Sequence, residues 1–111
     1  MVDVIISEVE QVALVEVRGR IDSMTASQLG EGLSEPIQNG FIHIVLDLSG
    51  VDYMSSAGLR EIVGALKKVR REKGDLRIAQ PSERVFEVIE MAGLDTILQI
   101  FDTQVEAIQS Y

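Results

Sequence analysis

Asp47-Leu48-Ser49-Gly50-Val51-Asp52-Tyr53-Met54-Ser55-Ser56-Ala57-Gly58-Leu59 is the stretch that decides the fold. Ahead of it, Phe41-Ile42-His43-Ile44-Val45-Leu46 is a short apolar run, suited to a strand buried on both faces. Behind it, Leu59, Ile62, Val63, Leu66 and Val69 recur at helical spacing and form one apolar stripe. The stretch is therefore expected to hold the end of a buried strand, a short loop, and two serines at the start of a helix. Free backbone N–H groups and the positive end of the helix dipole converge on Ser55 and Ser56. Two uses of the pair stay open. One serine caps the helix, or the site is an electrostatic address that welcomes a phosphate.

Working outward, Val2-Asp3-Val4-Ile5-Ile6 and Val12 to Arg18 alternate as strands, with Glu10-Gln11 as the turn of a hairpin. Gly19-Arg20-Ile21-Asp22 leads into a helix carrying Leu29, Leu33 and Ile37. Thr25-Ala26-Ser27-Gln28 has the form of a capping box, and Asn39-Gly40 ends the segment. Gly30, Gly32 and Pro36 all lower the propensity of that helix. The long helix after the serines closes at Gly74, and Leu76-Arg77-Ile78-Ala79 is a short strand. Pro81-Ser82 begins a third helix with Val85, Phe86, Ile89 and Met91 expected inward and Gly93 as its stop. Ile97 to Phe101 is a last strand, and Thr103-Gln104-Val105-Glu106 is a capping box for a terminal helix with Val105 and Ile108 inward. Strands separated by helices pair in parallel through right-handed crossovers. The fold class is α/β: a single domain over residues 1–111, with a mixed, mostly parallel sheet of four to five strands, about four helices and an N-terminal β-hairpin.

The 111 residues suffice for one core, and a hydrophobic content of 46% argues against disorder. No cysteine is present, so disulfides and thiolate metal sites are excluded. Apolar runs fall short of a bilayer span, and an N-terminus carrying Asp3 and Glu8 is unlike a secretory leader, so a cytoplasmic location off the membrane is expected. A net charge of −8 opposes direct binding to nucleic acid. Six of the ten cations nevertheless lie between Arg60 and Lys73. They suit either a solvated face complementing the helix dipole or a docking surface for an acidic partner.

Catalytic motifs are missing. No Gly-Lys-Ser or Gly-Lys-Thr occurs, and Glu35 stands where a dinucleotide loop beginning at Gly30 would need its third glycine. Met54 replaces the first glycine of a nucleophile elbow around Ser56. The single histidine, His43, lies inside the strand pattern and upstream of the serines, where a packing role is expected. The carboxylates show no ligand spacing, so neither a metal site nor a cofactor is expected. A two-component receiver domain would need a lysine after its fifth strand, and none follows Lys73. The chain is not expected to be an enzyme.

The run Leu46 to Arg60 resembles the signature of STAS domains of the anti-sigma factor antagonist family: Asp-Leu-Ser, an aromatic, Met or Ile, then Asp/Ser-Ser-Ser/Ala-Gly-Leu. Gly19-Arg20-Ile21-Asp22 is similar to the family's Gly-x-Leu/Ile-Asp, and Pro81 to Gly93 to its third helix. The likeness extends over nearly the whole chain. It implies a partner switch in which the unphosphorylated protein binds an anti-sigma factor and frees a sigma factor. That partner would be a serine kinase with a histidine-kinase-like ATPase fold, and a PP2C-type phosphatase would reverse its action. The implied phosphoacceptor is Ser56, with Ser55 second in order. Ser55 stands where aspartate is common, and Ala57 where a second serine is common. Asp22, Tyr53, Met54, Ser55, Ala57, Gly58 and Arg60 are the expected contact residues. The alternative is a STAS scaffold or sensory module whose serines only cap the helix.

Overall fold

Glu10 and Gln11 both take positive φ, 51° and 70°, which closes a two-residue turn of the hand that matches strand twist. This turn joins β1 (Val2–Val9) to β2 (Val12–Ile21) as the antiparallel hairpin. The computed structural model describes residues 2–111. After the hairpin come α1 (Ala26–Gln38), β3 (His43–Met54), α2 (Ser56–Arg71), β4 (Asp75–Ala79), α3 (Glu83–Met91), a 3-10 turn at Leu94–Thr96, β5 (Ile100–Phe101) and α4 (Gln104–Gln109). The strands lie side by side in chain order, β1-β2-β3-β4-β5, and every pair after the hairpin is parallel. Successive right-handed crossovers that always step the same way place their helices on one face. Leu29, Leu33, Ile62, Leu66, Val85 and Ile89 accordingly share one core with Val15, Ile44, Leu46 and Ile78. The other face is covered by α4, whose Ala107 packs with Val12, Leu14, Val45 and Ala79.

The main departure from expectation is in β3. It does not give way to a loop within the deciding stretch but runs for 12 residues from His43 to Met54. Its partner β2 advances from Glu16 to Arg18 while β3 advances from Asp47 to Gly50, and a second extra residue enters between Val51 and Tyr53. These two bulges explain why the apolar positions step by two through Ile44, Leu46 and Leu48, then by three to Val51 and Met54. The polar residues that suggest a loop are absorbed individually. Asp47, only 3% exposed, accepts from Ser49 N–H at 2.8 Å, from Gln80 Nε2 at 3.1 Å and from Gln104 Nε2. Gly50 is required where β2 crosses closely, because a Cβ there would meet Arg18 Cγ at 2.6 Å.

Packing also explains the weak composition of α1. A Cβ on Gly32 would lie 2.6 Å from Val4 Cγ1 on the sheet, whereas one on Gly30 would meet only the movable end of the Glu61 side chain. Thr25 precedes α1 without capping it through its side chain. Its hydroxyl instead donates to Arg20 O at 2.8 Å and accepts from Asp22 N–H at 2.9 Å, so the expected capping box does not form. Two expected core residues are on the surface. Met91 is 87% exposed because it lies about 240° around α3 from buried Val85, and Val88 packs inward instead. Val105 is 60% exposed, since α4 turns Ala107 to the sheet and Val105 sits about 200° away. The last strand is shorter than expected, because Leu94–Thr96 forms the 3-10 turn and Arg70 Nη2 holds the Ile97 carbonyl at 2.6 Å.

Candidate functional site

Ser55 leaves β3 in extended conformation, with φ −89° and ψ 168°, and becomes the N-cap of α2. Its Oγ accepts the Gly58 N–H at 3.2 Å, and its own N–H donates to the Ile21 carbonyl at 2.9 Å. The serine pair is thereby divided. Ser55 is half-buried with its hydroxyl occupied by the cap, whereas Ser56, first residue of the helix, is exposed. Among the described residues no hydrogen bond engages the Ser56 hydroxyl, and no carboxylate or imidazole contacts it as a base. Such a hydroxyl is not activated by its own chain.

Gly58 makes this geometry possible. A Cβ there would lie 2.5 Å from Met54 Sδ and 2.6 Å from Ile21 Cγ2, so only glycine lets the first turn of α2 sit on the ends of β2 and β3. Met54 is 2% exposed and supports the turn from beneath. This corrects its expected place among the contact residues, because its side chain has no free surface; Gly58 is buried too.

The other expected residues gather at the same sheet edge. Asp22 follows Ile21, the residue whose carbonyl holds Ser55. Asp22 Oδ1 accepts from Met24 N–H at 2.9 Å and Thr25 N–H at 3.1 Å, closing the turn before α1. The backbone N–H of Met24, chiefly, together with Thr25 and Arg20, holds the Asp22 carboxyl below the usual carboxylate range, against a smaller opposing effect of burial. Arg20, part of the Gly19-Arg20-Ile21-Asp22 motif but not among the expected contact residues, pairs with Asp22 Oδ2 at 3.4 Å and lies 4.1 Å from the centre of the Tyr53 ring. Its signal in the sequence is positional: in β2 it stands opposite Tyr53.

Arg60 and Ser56 line a shallow groove of about 470 Å³ between α2 and the chain after α3. Leu59, Val63, Ala92 and Leu94 form its apolar walls, and Lys67 lies farther along. Sequence reasoning misses this groove because Ala92 and Leu94 arrive from a distant segment. Arg70 is structural, pairing with Asp75 at 3.2 Å, while Arg60 and Lys67 face the groove. His43 opens β3, at the far end from the serines, and stacks on Tyr111 at 4.7 Å.

The sequence model for the STAS domain matches residues 3–107. The chain belongs to the STAS domain family. Among its relatives, the anti-sigma-B factor antagonist of Listeria monocytogenes is 35% identical over 91 residues, 81% of this chain and 79% of that one. The anti-sigma F factor antagonist of Paenibacillus polymyxa is 31% identical over 98 residues, 87% of this chain and 84% of that one. The fold matches the anti-sigma factor antagonist SpoIIAA in its unphosphorylated form with TM-score 0.84 at 21% identity, covering 97% of this chain and 95% of that one. It matches the phosphorylated Bacillus form with TM-score 0.75 at 19% identity, covering 97% and 98%. Among the described residues no helix is long and apolar enough to cross a membrane.

Proposed function

We propose that this STAS domain is an anti-sigma factor antagonist switched by phosphorylation of Ser56. The observation that carries this reading is the division of labour between the serines: Ser55 Oγ accepts the Gly58 N–H while Ser56 Oγ is exposed and unengaged. The names of the relatives support the antagonist role. The existence of SpoIIAA structures in both states supports a fold that accommodates the modification.

In the unmodified state the surface around Asp22, Tyr53, Ser55, Ala57 and Arg60 binds an anti-sigma factor and releases a sigma factor. The partner is a serine kinase of histidine-kinase-like ATPase fold. Ser56 Oγ attacks the γ-phosphorus of the kinase-bound ATP, the bond to the β-phosphate oxygen breaks, ADP leaves, and the hydroxyl proton passes to a base of the kinase. A PP2C-type phosphatase restores the hydroxyl by hydrolysis, releasing inorganic phosphate. At pH 7 the phosphate adds about −1.5 to −2 charges. Next to the N-terminus of α2 the fold tolerates them. Within a desolvated interface a misplaced charge costs roughly 2–5 kcal/mol, or roughly 30-fold to several-thousand-fold in affinity. That range suffices for a switch.

The test is incubation with the cognate kinase and ATP, followed by mapping of the phosphosite by mass spectrometry. Label on Ser56 is expected, and absence of label there overturns the reading. Ser56→Ala should retain partner binding and Ser56→Asp should lose most of it; equal affinity for both favours a module whose serines serve only the helix.

A further inference from the structure

We propose that Arg60 reads the phosphorylation state of Ser56 by forming an ion pair with the phosphate, a proposal that rests on Ser56 being the acceptor. The two residues are four apart on α2, so their Cβ atoms are neighbours at about 5–6 Å. Side chains of a helix lean toward its N-terminus, so Arg60 covers the turn that holds Ser56. Both are exposed, and both line the same groove.

Arg60 is also uncommitted. Arg20, Arg70 and Arg77 each pair with an aspartate, but among the described residues Arg60 enters no ion pair. The remaining charges near this end are already directed elsewhere or lie apart. Arg20 and Asp22, at the exit of β2, hold each other. Glu61 of α2 leans over Gly30 of α1. Asp52 of β3 is exposed and enters no ion pair among the described residues, and Lys67 is nearly two turns beyond Arg60. An anion preceding a cation by four residues is the favourable order on a helix. A phosphate dianion offers three acceptor oxygens to the planar fork of a guanidinium.

Phosphorylation then alters the groove in two ways at once. It adds negative charge at Ser56, and it draws the Arg60 cation away from any partner carboxylate and onto the phosphate. Lys67 is left as the one free cation among the residues lining the groove.

The experiment uses the full chain with phosphoserine installed at position 56 during synthesis, so that no kinase is needed. The second ionisation of the phosphate is followed by phosphorus NMR as pH is varied. In Arg60→Gln the midpoint should rise by roughly 0.3, the size expected of an exposed helical ion pair. Arg60→Lys should fall between, and Lys67→Gln should match the parent. At about 1 M salt the parent and Arg60→Gln should converge, because the screening length is then about 3 Å. Equal midpoints for the parent, Arg60→Gln and Arg60→Lys at low salt, with amide spectra showing all three folded, overturn the proposal. That result leaves Ser56 as acceptor intact. Conversely, a kinase that never labels Ser56 overturns the functional reading without touching the measured pairing.

Discussion

The backbone N–H of Ser55 donates to the carbonyl of Ile21 at 2.9 Å, which fastens the start of α2 to the end of β2. Four residues of consequence follow from this one bond. Ile21 and Met54 are paired in the sheet, Asp22 comes next along the chain, and Ser56 is set just outside. Removing a side chain from this corner should therefore have effects that differ by residue.

Ser55→Ala deletes the cap on the Gly58 N–H and should lower stability by about 0.5–2 kcal/mol, measured by urea unfolding. Label on Ser56 should persist in the same variant, because the acceptor hydroxyl is separate from the cap. Loss of label with stability unchanged would reverse the roles assigned to the two serines.

Gly58→Ala should destabilise by about 1–3 kcal/mol, although alanine is by itself favoured in helices by roughly 1 kcal/mol. The added methyl meets Met54 Sδ and Ile21 Cγ2, both in a filled core. A gain in stability on denaturant unfolding would show that the first turn of α2 is not packed this way.

Asp22→Asn keeps an acceptor for the turn but removes the charge that pairs with Arg20. Because the folded pKa lies below the unfolded one, ionised Asp22 stabilises the fold above the unfolded value, and that stabilisation is lost as pH falls through the folded value. The parent's advantage over Asp22→Asn should thus be constant from neutral pH to about pH 5, begin to fall near the ordinary carboxylate value of about 4, and disappear only below the lower, folded value. A parallel pair of stability curves across that window would refute the assignment.

Asp47→Ala strips the buried acceptor shared by Ser49, Gln80 and Gln104. A loss of about 1–3 kcal/mol is expected from the unpaired donors. Gln104 opens α4 and loses its bond to Asp47, keeping only the one to Glu16 at 3.0 Å, so the variant should weaken α4 before the rest of the sheet. Hydrogen exchange that accelerates in α4 first would bear this out; uniform acceleration would not.

How much of this was legible beforehand depended on whether a residue's surroundings were local. The hairpin, the order of elements and the serines at the head of α2 follow from period and propensity, and Leu59, Ile62, Leu66 and Val69 are buried as their spacing requires. The length of β3 was not legible, because Asp47, Ser49 and Asp52 look like loop residues until a bulged partner strand and the amides of Gln80 and Gln104 accommodate them. Met91 and Val105 are exposed for a related reason: hydropathy names an apolar residue, but a rotation of roughly 100° per residue decides whether it faces the sheet. At the site, the motif singled out Ser56 from Ser55, whereas Arg20 over Tyr53 and the groove beside Arg60 depend on segments distant in the chain.

Strand order equal to chain order has a consequence for biosynthesis. Each strand emerging from the ribosome finds its neighbour already made, beginning with a hairpin that needs only a two-residue turn. No strand must wait for a later one to be threaded between it and its partner, so assembly can proceed vectorially, each parallel pair closing over one helical crossover. The corner that holds Ser55 and Ser56 needs only β2, β3 and the first turns of α2, all of them made before β4 leaves the tunnel.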